Sequence, residues 1–291
     1  MKPDAYQILV HWITERETIR RKKEAGEPRP WTSDPILAEW RFCNVNRCDD
    51  RETRWIFEHI IAAHADSETL WFNLAIARFV NWSPALAHIG YFDEWNAEHF
   101  VCAVLDMQRH GEKVYTGAYM IPAGGSGVPK HEFLADEVFT PLWRLRGERP
   151  WAKQCSEWDA FFRRVRCMGD FLRNQIITDM KYTADLPRDA TPDWTWFVLA
   201  GPGTQRGLSR LHGRPLDTKW RVDNSCYALY GLRDRLRADG VLAETPTIFD
   251  DLNNVSNCMC EFDKYSRVLL GEGTPRARYA PRVMGLFGAT G

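Results

Sequence analysis

Apolar residues recur along this chain at the spacing of helices and almost nowhere at the spacing of strands. That pattern limits the possible folds more than any other feature. Over residues 3–23 they fall at Ile8, Leu9, Trp12, Ile13 and Ile19, leaving a charged outer side. Gly26, Pro28 and Pro30 break the helix, and Asp34 followed by Pro35 opens the next in cap-then-proline order. Helical spacing continues over 51–63, 69–79, 84–89, 92–108, 138–145, 156–182, 216–239 and 249–270. Residues 114–121 are the one candidate for a short strand, and the glycine-rich run at 120–128 reads as a loop. An all-α chain follows, without the alternating strands of a dinucleotide-binding or barrel enzyme. A phosphate loop of the GxxxxGK[ST] type is also missing from the sequence. We expect one unit over 1–291, with helical lobes at 1–125 and 126–291 and a ligand cleft at their junction.

The charge balance excludes some functions. Lys and Arg total 38 against 39 Asp and Glu, a net charge of -1, which rules out a bulk polycation that binds nucleic acid by charge alone. Local basic faces survive that argument: Arg20, Arg21, Lys22 and Lys23 near one end, Arg276, Arg278 and Arg282 near the other. These fit a solvated helix face and a loose tail equally well. No apolar run approaches the ~18 residues of a membrane span, and the first ten residues lack a signal-peptide core. We expect no membrane partner. The eight cysteines form no CxxC pair, so neither a zinc ribbon nor a thioredoxin-type motif is indicated. His59 and His64 give only a weak metal signal, and no metal or cofactor is expected.

Gly201-Pro202-Gly203, followed by Thr204, Arg206, Gly207 and Arg210, is the most informative stretch. Paired glycines let backbone approach a ligand closely, and a helix starting near Thr204 would present free N–H groups to a phosphate. The pattern fits a helix-hairpin-helix that grips DNA through Gly201, Gly203, Thr204, Arg206 and Gly207. A plain turn between helices fits it too. Upstream, Phe161, Val165, Met168, Leu172, Ile176 and Met180 form an apolar stripe bordered by Gln175 and Asp179. Those two read as a paired structural carboxylate with its neighbour, or as a pocket wall. Downstream, Leu252, Val255, Met259 and Phe262 form a second stripe. At about 100° per residue, Ser256, Asp263 and Arg267 line its flank. Asp263 and Arg267 fit an i,i+4 ion pair, or a general base beside an apolar face. Near the start, Arg41, Arg47, Arg51 and Arg54 interleave with Trp31, Trp40 and Phe42, a mixture suited to an anionic or stacking ligand.

Several segments together resemble the α-glutamyl/putrescinyl thymine pyrophosphorylase family. They are Arg29-Pro-Trp-Thr-Ser-Asp-Pro-Ile-Leu37, Phe42-x-Asn-Val-x-Arg47, Thr116-Gly-Ala-Tyr119, Phe171-x3-Gln175-x3-Asp179, Gly201-Pro-Gly203 and Cys260-Glu-Phe-Asp-Lys-Tyr265. They span roughly residues 10 to 280. The related helical domain attached to 5-hydroxymethyluracil DNA kinases shares these motifs, and the kinase half has no counterpart in this sequence.

The resemblance implies a virus-encoded branch of the helix-hairpin-helix DNA glycosylases that acts in the cytoplasm of an infected bacterium. The implied substrate is double-stranded DNA whose 5-hydroxymethyluracil a kinase has already activated as a pyrophosphate ester. The implied reaction replaces pyrophosphate with an amine, from an amino acid or a polyamine. For that reaction we choose Asp263 as the catalytic carboxylate, with Glu261 and Asp179 behind it, and expect substrate binding by Asn44, Arg47, Arg51, Tyr119, Gln175, Lys264 and Arg267. Glycosylases of this fold place an Asp after the hairpin; Asp217 and Asp223 stand at such distances, outside the matching segments. A glycosylase cleaving the N-glycosidic bond and a non-catalytic DNA-binding module are the competing functions.

Overall fold

In a computed structural model, residues 4–116 and 127–279 are described. Among the described residues thirteen α-helices follow one another: α1 (Ala5–Glu24), α2 (Pro35–Glu39), α3 (Arg51–Ile56), α4 (Leu70–Val80), α5 (Ser83–Ile89), α6 (Ala97–Arg109), α7 (Lys130–Leu134), α8 (Thr140–Arg144), α9 (Cys155–Arg163), α10 (Asp170–Met180), α11 (Pro202–Leu211), α12 (Val222–Ala238) and α13 (Leu252–Leu269). Among the described residues the only β-type pairing is an isolated antiparallel bridge between Trp40 and Arg278. The chain is all-α. Residues 114–116 are irregular, and the rest of the candidate strand lies outside the described residues.

Local chemistry sets the helix ends. Asp4 accepts from the backbone N–H of Gln7 while the Gln7 side chain returns a bond to Asp4, so α1 starts with a reciprocal box. Asp34 accepts from Ile36 and Leu37, with Pro35 already at a helical φ. Two expected helices are interrupted. The segment after Arg51 widens into a π-helical turn at Phe57–Ile61, where Ala62 N–H bonds back to the Phe57 carbonyl. The 156–182 stretch divides into α9 and α10 because Cys167 takes a left-handed φ of 65° just before Gly169. Its apolar stripe survives the break: Phe161, Val165, Met168, Leu172, Ile176 and Met180 are all buried in one core.

There are two such cores. The first joins α3 to α10 around Phe72, Phe79, Phe100, Phe139, Trp158 and Phe162. The second joins α1 and α2 to α11, α12 and α13 around Leu9, Trp12, Leu208, Leu236, Met259 and Phe262. Thus the core does not divide at residue 125, because the first helix packs with the last ones. The chain passes between the cores at 197–199. Backbone there belongs to no helix, and successive side chains part: Phe197 and Leu199 enter the first core, Val198 the second. Asn174 Oδ1 pins this crossing by accepting from the Leu199 N–H at 2.7 Å.

Candidate functional site

The glycine-rich turn is built for helix packing. A Cβ at Gly203 would stand 2.3 Å from Cys260 Sγ, and one at Gly207 would stand 2.2 Å from the Met259 carbonyl oxygen. Both glycines therefore face α13 and let the two helices touch, rather than letting backbone meet a phosphate. Thr204 is buried with them, its hydroxyl donating to the Ser256 carbonyl at 3.0 Å. The helix expected before the turn is α10, and a connection of about twenty residues separates it from α11. Residues 192–196 form turns, with Phe197 N–H bonded to the Asp193 carbonyl, before the crossing. Gly201 is buried beneath the Phe171 ring, and Arg206 remains 40% exposed as a side chain.

Asp263 belongs to the same packing. It is 1% exposed; Arg206 Nε donates to one oxygen at 2.9 Å and Arg210 Nε to the other at 2.8 Å. Arg267 Nε stands 3.6 Å away. With both oxygens engaged, Asp263 is placed to fasten α13 to α11 rather than to take a proton from an amine. Glu261 is likewise buried, accepting from the Cys43 N–H at 2.9 Å and paired with Lys264. Lys264 also lies over the Phe42 ring; burial works against its charge, but the Glu261 carboxylate prevails and raises its pKa. Asn44 is a connector, with Arg16 donating to its side chain, which in turn donates to the Asp49 carbonyl. Arg51 pairs with Glu52 near the surface and lies over Trp82. Tyr119 is outside the described residues. Asp217 and Asp223 are exposed.

Other expected residues do converge, at the junction of the two cores. Arg47 and Gln175, 128 residues apart, are both buried and hydrogen-bonded through Arg47 Nη1. One turn beyond Gln175, Asp179 is 1% exposed and held by both arms of Arg78. Arg78 also donates to Thr53 and Asn81, and Asn81 reaches Thr116 at 3.5 Å. Three of the matching segments therefore meet along one buried polar seam. Arg47 Nε lies within it with no hydrogen-bond partner.

The seam abuts a cavity of about 450 Å³ lined by Asn46, Cys48, Lys181, Tyr182, Asp251 and Asn254, with Glu17, Arg20, Asp49, Arg188, Trp194 and Asp250 among the other walls. Lys181 Nζ is buried, donating to Asp251 Oδ1 at 2.9 Å and to the Phe197 carbonyl at 3.2 Å. Cys48 Sγ sits 3.3 Å from the Tyr182 hydroxyl. Burial raises the Cys48 thiol pKa; the Tyr182 hydrogen bond pulls it back, Asp179 adds to the rise and Arg47 opposes it. Sequence reasoning passed over Cys48, Arg78, Lys181, Tyr182, Asp251 and Asn254. Arg78 did carry a signal: it is the lone charge in α4, whose eleven residues are otherwise almost entirely apolar. Among the described residues no cluster of three or more His, Cys, Asp or Glu could hold a metal ion, and no helix is long and apolar enough to cross a membrane.

Comparison with known proteins bears on this arrangement. The family model for the 5-hmdU DNA kinase helical domain matches residues 3–274. The chain belongs to that family. A 5-hmdU DNA kinase of Bacillus phage SP10 is 22% identical over 220 residues, covering 67% of this chain and 34% of the phage protein. The chain thus spans about a third of the length of this curated relative. No solved structure matches. The match sets the chain with the kinase helical domains and does not extend to the narrower pyrophosphorylase family that its motifs resemble.

Proposed function

We propose that this chain is a phage DNA-modifying transferase that replaces the pyrophosphate of an activated 5-hydroxymethyluracil with an amine, and that the reaction occurs in the junction cavity. Membership of the 5-hmdU DNA kinase helical-domain family supports the substrate class. The observation that carries the site is the cavity itself, where a buried polar seam ends among groups of both charge signs. A reaction in which an anion leaves and an amine arrives needs both.

The base leaves the duplex stack to be reached, as in other enzymes acting on bases. Asn46 offers an amide to its polar edge, and Trp194 and Tyr182 offer aromatic surface. Arg20, Arg188 and Arg47 neutralise the departing pyrophosphate. Asp251, Asp49 and Glu17 hold the amine. Double-stranded DNA lies across the start of α11, where Arg206 is partly exposed and Trp196 and Tyr227 are 49% and 78% exposed. The enzyme acts after a DNA kinase in the infected bacterium.

A non-catalytic reading has one observation in its favour: the phage relative is about three times as long as the matched region and is named for its kinase activity. Nucleoside mass spectrometry separates the two. The protein is incubated with DNA carrying pyrophosphorylated hydroxymethyluracil and a panel of amino acids and polyamines. A heavier nucleoside, matching base plus amine, is expected. Unaltered nucleosides with every amine would favour the binding module, and an abasic site would favour a glycosylase.

A further inference from the structure

We infer that Cys48 is the covalent nucleophile of this reaction, adding its sulfur to C6 of the extruded uracil. The inference rests on the substrate proposed above. It starts from the chemistry of that substrate. The carbon bearing pyrophosphate hangs from an electron-poor ring, so simple ionisation there is disfavoured. A nucleophile added at C6 turns the ring into an enolate, and the enolate expels a leaving group from the C5 methylene. Such a step needs a soft nucleophile in the wall of a pocket that accepts the base.

Cys48 meets that need. Cys155 and Cys258 are buried in the two apolar cores and Cys102 is exposed on the surface, whereas Cys48 lines the cavity. A 3₁₀ turn, Arg47–Asp49, carries it, with its N–H bonded to Asn46 Oδ1 at 3.2 Å; Asn254 Nδ2 reaches the same oxygen at 3.5 Å. Asn254 is itself held by the Arg47 N–H and the Ile248 carbonyl, so this turn sets the thiol beside the Asn46 amide, which can meet a pyrimidine edge. Next to Cys48 in that turn, Arg47 is buried behind the cavity wall with an Nε that has no hydrogen-bond partner. The Cys48 thiol donates to the Tyr182 hydroxyl at 3.3 Å; burial pushes that phenol's pKa up, so Tyr182 keeps a proton throughout and relays the thiol proton to the pyrophosphate oxygens. Burial favours the neutral thiol, so the thiol loses its proton only as the ligand binds.

The steps balance. Sulfur bonds to C6 and the C5–C6 double bond becomes the enolate. The enolate then expels pyrophosphate, which takes the former thiol proton, and leaves an exocyclic methylene. The amine adds to that methylene, the S–C6 bond breaks to restore the ring, and an amine proton returns to sulfur. No oxidation occurs and no co-reactant beyond the amine is consumed.

Two readouts test the step. The first is amine transfer by nucleoside mass spectrometry. The second is release of tritium from C5 of deoxyuridine in DNA, which C6 addition labilises without any pyrophosphate or amine. The wild type should show both, and Cys48→Ala should lose both by on the order of a thousandfold. Cys48→Ser keeps the hydrogen bond to Tyr182 and the volume, so it should fold and remain inactive. Transfer within a few-fold of wild type in either variant would overturn the nucleophile while leaving the transferase standing. Absence of tritium release from the wild type would also overturn it. If the wild type transfers no amine yet releases tritium in a Cys48-dependent way, the nucleophile stands and the proposed reaction falls.

Discussion

The α11–α13 contact and the junction of the two cores both contain buried carboxylates beside arginines, yet they differ in what lies next to them. At the contact, Gly203 and Gly207 close the distance and Asp263 has an arginine on each oxygen. Arg267 Nε, 3.6 Å from the same carboxylate, is left there without a hydrogen-bond partner. At the junction, Arg78 and Asp179 are equally well matched and Arg47 Nε likewise lacks a partner, but the residues on either side of Arg47, Asn46 and Cys48, line a cavity. A carboxylate on the flank of an apolar stripe is therefore a poor guide to chemistry. An unpaired buried arginine nitrogen is no better by itself, since each region has one; the cavity is what sets the junction apart.

This contrast can be broken by substitution. Arg78→Met leaves Asp179 buried and charged, and should cost about 3–5 kcal/mol in urea unfolding; a loss below about 1 kcal/mol would mean the pair does not fasten α4 to α10. Gly207→Ala should cost about 1–3 kcal/mol, because the obstacle is α13 backbone, whereas Gly201→Ala meets only the Phe171 ring at 3.2 Å and should cost less. Equal losses would contradict the packing role. Asp263→Asn removes the charge that two arginines share and should cost about 1–2 kcal/mol. The smallest effect is expected at Arg166, whose pair with Glu137 lies at the surface; Arg166→Ala should change stability by about 0–1 kcal/mol.

Much of this was legible in the sequence, and the failures have physical causes. Stripes at helical spacing gave the buried faces of α10 and α13 because burial repeats with the helical period. The break at Cys167 was not legible, since a left-handed residue is most often glycine or asparagine. A glycine pair four residues apart permits close approach of a phosphate or of another helix, and only the neighbour decides. Arg47 and Gln175 were each singled out, but their meeting across 128 residues is a property of the fold. Lys181 and Asp251, 70 residues apart, carried no local pattern at all.

The proposed reaction places chemistry at the junction and not at Asp263. The direct test is amine transfer per folded molecule, by nucleoside mass spectrometry on pyrophosphorylated DNA, for Arg47→Ala and Asp263→Asn side by side, with folding checked by circular dichroism. The account predicts that Asp263→Asn transfers amine within a few-fold of wild type and that Arg47→Ala falls by on the order of a hundredfold or more. The reverse result, a silent Asp263→Asn and an active Arg47→Ala, would contradict it.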